Sequence, residues 1–287
     1  MLTKGKKDLI IVPYDFTVQS DTALTHASKI AIQGDDEIRL LHIINSDTNG
    51  RLKKIGKESE GPLVALQEIA AKNQKESGVH TSFHAEEGSI FTHIGAYVDS
   101  SGASLAVMGT HGVHGFQHIV GANALKVITS SSAPFVVVQK RKIDPDGYKK
   151  IVVPVDGNVK GKNKITAAID LAKYFNSTIY IFEANTTDTF VANRIAVNLK
   201  MIEGYIQEHN IPFEHVKEEG KGSFAKQLIK YSAHIEADLI AISSHHDNEG
   251  LMDFIFGNDE VQVLNNDPQI AVLCVNPVST STTDVSI

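Results

Sequence analysis

The chain repeats itself. The run "KKDLIIVPYDFT" near the start returns halfway along as "YKKIVVPVDGNV", which sets Pro13 against Pro154 and Asp15 against Asp156. Each copy is followed by a helical pattern, "SDTALTHASKIAIQ" in the first and "NKITAAIDLAKYF" in the second, and then by an apolar run, "EIRLLHIIN" or "STIYIFEAN". A period of half the chain implies a tandem duplication. The 287 residues suffice for two domains of roughly 140 residues each, near the common domain size.

Within each copy short apolar runs rich in Val, Ile and Leu alternate with helical patterns. In the first copy the expected strands are "LIIVP", "IRLLHII", "HTSFHA", "SLAVMG" and "PFVVVQ"; in the second they are "KIVVP", "TIYIFEA", "FEHVKE", "DLIAIS" and "IAVLCV". Continuous rather than alternating apolar character is the mark of parallel strands covered on both faces. The fold class is therefore α/β, as two tandem doubly wound domains. Their expected spans are 1–143 and 148–278, with a polar tail over 279–287. The seam "KRKIDPDGYK" is short, so the two halves are expected to pack together. The connection Asn45 to Gly61 is unusually long and polar, fit for a lid or a partner site, whereas its second-half counterpart is more apolar and enters its helix sooner.

Composition narrows the function. With 42% hydrophobic and 21% charged residues and a formal net charge of −7, the chain lacks the basic footprint of a nucleic-acid or anionic-membrane binder. The single cysteine, Cys274, lies in an apolar run and reads as a core residue. The apolar run near the N-terminus ends at Pro13, too short for a signal peptide or a span. These features suggest a reducing cytoplasm.

Doubly wound sheets bind ligands beyond the carboxyl ends of their strands, where strand order reverses. Two segments converge there: "VPYD" after strand one and "MGTHG" after strand four. Gly109 and Gly112 would let the backbone approach an anion and adopt positive φ, and Gly121 opens the next helix, whose N–H groups and dipole favour phosphate. The histidines His111, His114 and His118 are spaced as on a helix face, but the intervening glycines argue against a helix, so they read as lining and no resident metal is assigned. No G-x-x-x-x-G-K-[ST] and no G-x-S-x-G is present, which opposes a P-loop ATPase or an elbow-type hydrolase.

On "VPYDF", "LLHII", "GTHG" and "SSAPFVVV", found in family order, the chain resembles a tandem universal stress protein of the UspA type over nearly its whole length. The resemblance implies a five-stranded parallel sheet of order 3-2-1-4-5 in each domain, helices on both faces, and strand-five pairing of the domains into an intramolecular pseudo-dimer, with a further homodimer and an unidentified protein partner compatible with it. It implies ATP or another adenine nucleotide as ligand, with magnesium carried by the nucleotide near Asp15. Pro13, Tyr14 and Asp15 match the turn that lines the adenosine, and Ile43 the adenine edge. Met108, Gly109, Thr110, His111 and Gly112 match the phosphate and ribose loop; Gly121, Ala122, Asn123 and Ala124 match the helix start that holds the phosphates.

Two departures weaken that match. Eight residues rather than nine separate Gly112 from Gly121, and Ala122 stands where the family pattern has Ser or Thr. One lost hydrogen bond to a charged group costs about 1.5 to 3 kcal/mol, roughly one to two decades of affinity. In the second copy Ser243 and His246 replace Gly109 and Gly112, acidic residues surround the loop, and Glu183 is read as the counterpart of Ile43, so that half is expected to be degenerate. The implied role is nucleotide-binding regulation of a stress response through the first half. The alternatives are a scaffold that binds no nucleotide and a slow ATPase.

Overall fold

A computed structural model describes residues 7–57, 61–110, 121–157, 162–220, 222–244 and 257–276. The first half runs β1 (Leu9–Pro13), α1 (Val18–Gly34), β2 (Glu37–Ile44), α2 (Thr48–Lys54), α3 (Gly61–Ser77), β3 (Thr81–Glu87), α4 (Ile90–Ser100), β4 (Leu105–Gly109), α5 (Gly121–Ile128) and β5 (Phe135–Val138). The second half runs β6 (Lys150–Val155), α6 (Lys162–Phe175), β7 (Thr178–Glu183), α7 (Thr189–Glu208), β8 (Phe213–Lys217), α8 (Phe224–His234), β9 (Leu239–Ser243), α9 (Gly257–Leu264) and β10 (Ala271–Val275). The first half has two helices, α2 and α3, where the second has the single longer helix α7.

All ten strands form one sheet of order β3-β2-β1-β4-β5-β10-β9-β6-β7-β8. Each half is parallel, in the order 3-2-1-4-5 expected. The halves meet where β5 and β10 pair antiparallel, Val137 opposite Val272 and Phe135 opposite Cys274. These strands are the "PFVVVQ" and "IAVLCV" runs, buried throughout, and an antiparallel join between two like strands is what a pseudo-twofold axis requires.

The apolar residues divide between the two faces by strand alternation. Ile10, Val12, Leu40, Val107 and Val136 join the core under α1 and α3 and, across the seam, α6 and α7. Ile11, Leu41, Ile43, Met108 and Val137 join the core under α4, α5, α8 and α9. Each core runs through both halves. Cys274 is fully buried in the second of these, and burial pushes its thiol pKa up, so it behaves as a small apolar residue. Among the described residues no helix is long and apolar enough to cross a membrane.

Strand register fixes which residues of the halves correspond. Pro13 pairs with Leu41 in the first half and Pro154 with Phe182 in the second, so Ile43 corresponds to Ala184 and His42 to Glu183. The expected match of Glu183 with Ile43 is corrected by one position. The sequence placed the end of that apolar run one residue early, and only the ladder sets its phase.

Candidate functional site

At the carboxyl edge of the first half β1 ends in Pro13 and the chain turns through Tyr14, Asp15 and Phe16. Phe16 takes the left-handed region at φ 62°, unusual for a bulky residue. Its ring holds this conformation by packing on Tyr14 at 5.6 Å and on His42 at 4.7 Å, centroid to centroid. Thr17 then caps α1, with its side chain accepting from the Ser20 amide and the Ser20 hydroxyl accepting from the Thr17 amide, a capping box that satisfies two orphan donors. The Thr17 hydroxyl also donates to Asp15 Oδ1 at 2.6 Å. The turn thus aims the Asp15 carboxylate outward from the strand end. Tyr14 is buried, its hydroxyl donating to Asp21, and burial together with that carboxylate drives its pKa far above the usual phenol value.

His42 joins this turn to α2. Its Nδ1 lies 2.7 Å from the Tyr14 carbonyl and its Nε2 lies 3.1 Å from Thr48 Oγ1, while Thr48 Oγ1 also accepts from the Asn45 amide at 3.0 Å. One tautomer satisfies all three contacts: Nδ1–H donates to the carbonyl and Nε2 accepts from the threonine hydroxyl. Burial lowers the His42 pKa below the ordinary imidazole value, which keeps the ring neutral and that pattern intact. Leu52, on the same helix, is 1% exposed in the α1/α3 core. The connection expected as a lid or a partner site therefore holds a short helix docked at two points.

From α2 the Arg51 guanidinium reaches back to the turn. Its Nη1 lies 2.5 Å from Asp15 Oδ2 and 3.4 Å from the Asp15 carbonyl. Arg51 escaped the sequence reading because 36 residues separate it from Asp15 and it sits in a polar segment without motif or periodicity. His42 was also missed, although a histidine inside an otherwise apolar parallel strand was a readable signal. With Thr17 on one oxygen and Arg51 on the other, both carboxylate oxygens of Asp15 are engaged. Arg51 thus supplies a cation beside the carboxylate near which the sequence placed a nucleotide-bound magnesium ion.

One cavity gathers six of the thirteen expected residues. Pro13, Tyr14, Asp15, Ile43, Met108 and Gly109 line it together with Ser20, Leu41, His42, Asn45, Arg51, Ile90 and Ile94. Its lining combines the apolar side chains of Ile43, Ile90, Ile94 and Met108 with the Asp15–Arg51 pair. It encloses about 50 Å³. Thr110 stands apart, 1% exposed, its amide donating to the Val138 carbonyl at 2.8 Å. Gly121 opens α5 as expected and Asn123 is half-buried on it, whereas Ala124 is fully buried in the core beneath. Ala122 also lies in this first turn. His111 and Gly112, with His114 and His118, lie outside the described residues. Gly109 does not have the positive φ expected of it; a Cβ there would stand 2.4 Å from the Gln19 carbonyl oxygen. Close passage of α1 over the end of β4 demands the glycine.

The second half is built differently at the same edge. Lys164 on α6, 7% exposed, donates to the Pro154 carbonyl at 2.6 Å, and Asn198 of α7 donates to the Asp156 carbonyl at 3.0 Å. An ammonium and an amide from two helices tie down the strand-end turn. Ser243 stands opposite Val275 in the ladder at the position of Gly109.

The sequence model of the Universal stress protein family matches residues 8–139 and again 147–275. A universal stress protein of Methanocaldococcus jannaschii is 27% identical over 145 residues, 46% of this chain and 82% of that protein. The crystal structure of a universal stress protein from Archaeoglobus fulgidus superposes with a TM-score of 0.69 at 19% identity, covering 95% of this chain and 99% of that one. The cytoplasmic domain of a prokaryotic cation chloride cotransporter reaches 0.52 at 13% identity, over 94% of this chain and 95% of that one, so the architecture alone does not fix a function. The repeated match of both halves, carried on two 3-2-1-4-5 half-sheets joined through their fifth strands into one sheet, places this chain in the universal stress protein family as a tandem member.

Proposed function

We propose that this protein is a regulatory nucleotide-binding member of its family, taking an adenine nucleotide at the carboxyl edge of the first half while the second half serves as its structural partner. The observation that carries the reading is the convergence of Pro13, Asp15, Ile43, Met108 and Gly109 on one cavity, with α5 starting at Gly121 beyond the same strand ends. The parts suit a nucleotide. Ile43, Ile90, Ile94 and Met108 offer an apolar slot for a base, Asp15 offers an acceptor for ribose hydroxyls, and the α5 N-terminus offers amide donors and a favourable dipole for phosphate. Among the described residues of the second half, Lys164 and Asn198 instead engage the carbonyls of the strand-end turn. Family membership supports regulation of a stress response as the corresponding role, and the cytoplasm is the proposed location.

A scaffold that binds no nucleotide is the competing reading. It is favoured by the cavity's volume, about 50 Å³, against roughly 300 Å³ at the lower end of small-ligand pockets. Hydrolysis is a weaker prospect, since Asp15 with both oxygens engaged is poorly placed to take a proton from water. Calorimetric titration of the full chain with ATP and with adenosine tests the choice. Saturable heat at one site per chain supports the nucleotide reading, and silence at millimolar ligand leaves the scaffold.

A further inference from the structure

We propose that Arg51 is the specificity-determining residue of this site, the counter-charge through which it selects anionic adenine ligands over neutral adenosine. The inference rests on the nucleotide reading and adds a residue that lies outside the segments matched to the family's nucleotide motif.

Charge at the strand end is the starting point. A phosphate brought near the Asp15 carboxylate is repelled by it. Arg51 Nη1, 2.5 Å from Asp15 Oδ2, cancels that charge at its source and brings a guanidinium into the wall of the cavity that Gly109 also lines. Arginine suits phosphate because its planar fork presents several donors in fixed geometry. The same edge lacks a hydroxyl at Ala122, the first residue after the glycine that opens α5, so a donor from elsewhere has a task to fill.

The cavity's size indicates how the exchange works. At about 50 Å³ it admits a nucleoside only after part of its wall moves. The helix carrying Arg51 is held by Leu52 in the core and by Thr48 on His42, while the arginine side chain, with four rotatable bonds, can swing without either anchor breaking. As a ribose hydroxyl takes Asp15, the guanidinium passes from carboxylate to phosphate and remains paired throughout. An uncharged ligand offers no phosphate to take the guanidinium, so with adenosine Arg51 gives up Asp15 and keeps the longer contact with Asp47, 3.9 Å away.

The test is calorimetry on the full chain, wild type, Arg51→Gln and Arg51→Lys, with ATP, AMP and adenosine at low and high salt. Arg51→Gln is expected to weaken ATP and AMP about ten- to hundredfold, the worth of one charge-assisted hydrogen bond. Adenosine should hold within about threefold or tighten, which also shows that the variant is folded. The salt dependence of ATP binding should flatten, and Arg51→Lys should recover part of the loss. Unchanged ATP affinity in Arg51→Gln, tighter ATP binding, or ATP and adenosine weakening together would each overturn the role of Arg51 while leaving nucleotide binding standing. Failure of the wild-type chain to bind any of the three removes both.

Discussion

Gly109 shows how one atom can carry two meanings. In sequence it reads as a phosphate-loop glycine, and in the structure it is the point where α1 crosses β4 so closely that a Cβ would lie 2.4 Å from the Gln19 carbonyl oxygen. Gly109→Ala therefore forces backbone against backbone, and overpacking of this kind costs about 1–3 kcal/mol. Urea unfolding without nucleotide should show that loss. A midpoint equal to that of the wild type would mean that α1 gives way and that the glycine is kept for a ligand. Retention of this glycine is thus weak evidence for binding. The site was legible only where local sequence fixes it: Pro13 to Asp15 stand at a strand end, and Met108 and Gly109 at another. Arg51 reaches the same point through a short helix, and nothing in the local sequence around it records that contact.

Helices and strands were legible to the extent that burial left a pattern. Every expected strand is present: the inner strands, covered on both faces, are apolar, whereas the edge strands β3 and β8 are polar and partly exposed and were legible only from their place between helical patterns. α2 was not expected, since Leu52 is its one buried apolar residue and seven residues with a single anchor show no period. The seam adds a feature that sequence alone hides. Gln139, just after β5, donates to the carbonyls of Leu264 and Asn266 at the end of α9, at 3.5 and 3.0 Å. Asn276, just after β10, donates to the carbonyls of Ile128 and Ser131 at the end of α5, the former at 2.6 Å. Each half thus caps a helix of the other, satisfying carbonyls that a helix end leaves without an internal partner. Gln139 is 8% exposed, so water does not readily replace its amide. Gln139→Ala should cost roughly 1–3 kcal/mol in denaturant unfolding. A loss below about half a kcal/mol would show that the cap contributes little to the seam.

Across the molecule, stability at acid pH is tied to a histidine that spans the halves. His26 of α1 is 3% exposed, with Nε2 3.0 Å from the Arg141 carbonyl and Nδ1 2.7 Å from the Tyr148 hydroxyl. Neutral imidazole fits both, as donor to the carbonyl and acceptor from the phenol; the charged ring has no lone pair left for Tyr148. Burial lowers its pKa from 6.5 to about 4, and the nearby Arg141 guanidinium acts in the same sense. An unfolded chain takes up this proton near pH 6.5 and the folded chain only near 4, so His26 costs nothing above pH 6.5. As pH falls from 6.5 to 4 it withdraws stability, up to roughly 3 kcal/mol. Asp36 acts oppositely, for burial raises its pKa to about 6 and the folded chain gains stability as that carboxyl protonates. Total stability therefore conceals both contributions, and a difference separates them. His26→Gln keeps a polar side chain without a titrating ring, so Asp36 cancels from the comparison with wild type. Measured by urea unfolding, the advantage of wild type over this variant should be constant above pH 7 and shrink by roughly 3 kcal/mol towards pH 4. Parallel curves for the two proteins across that range would mean that His26 titrates normally and that acid does not act on the junction through it.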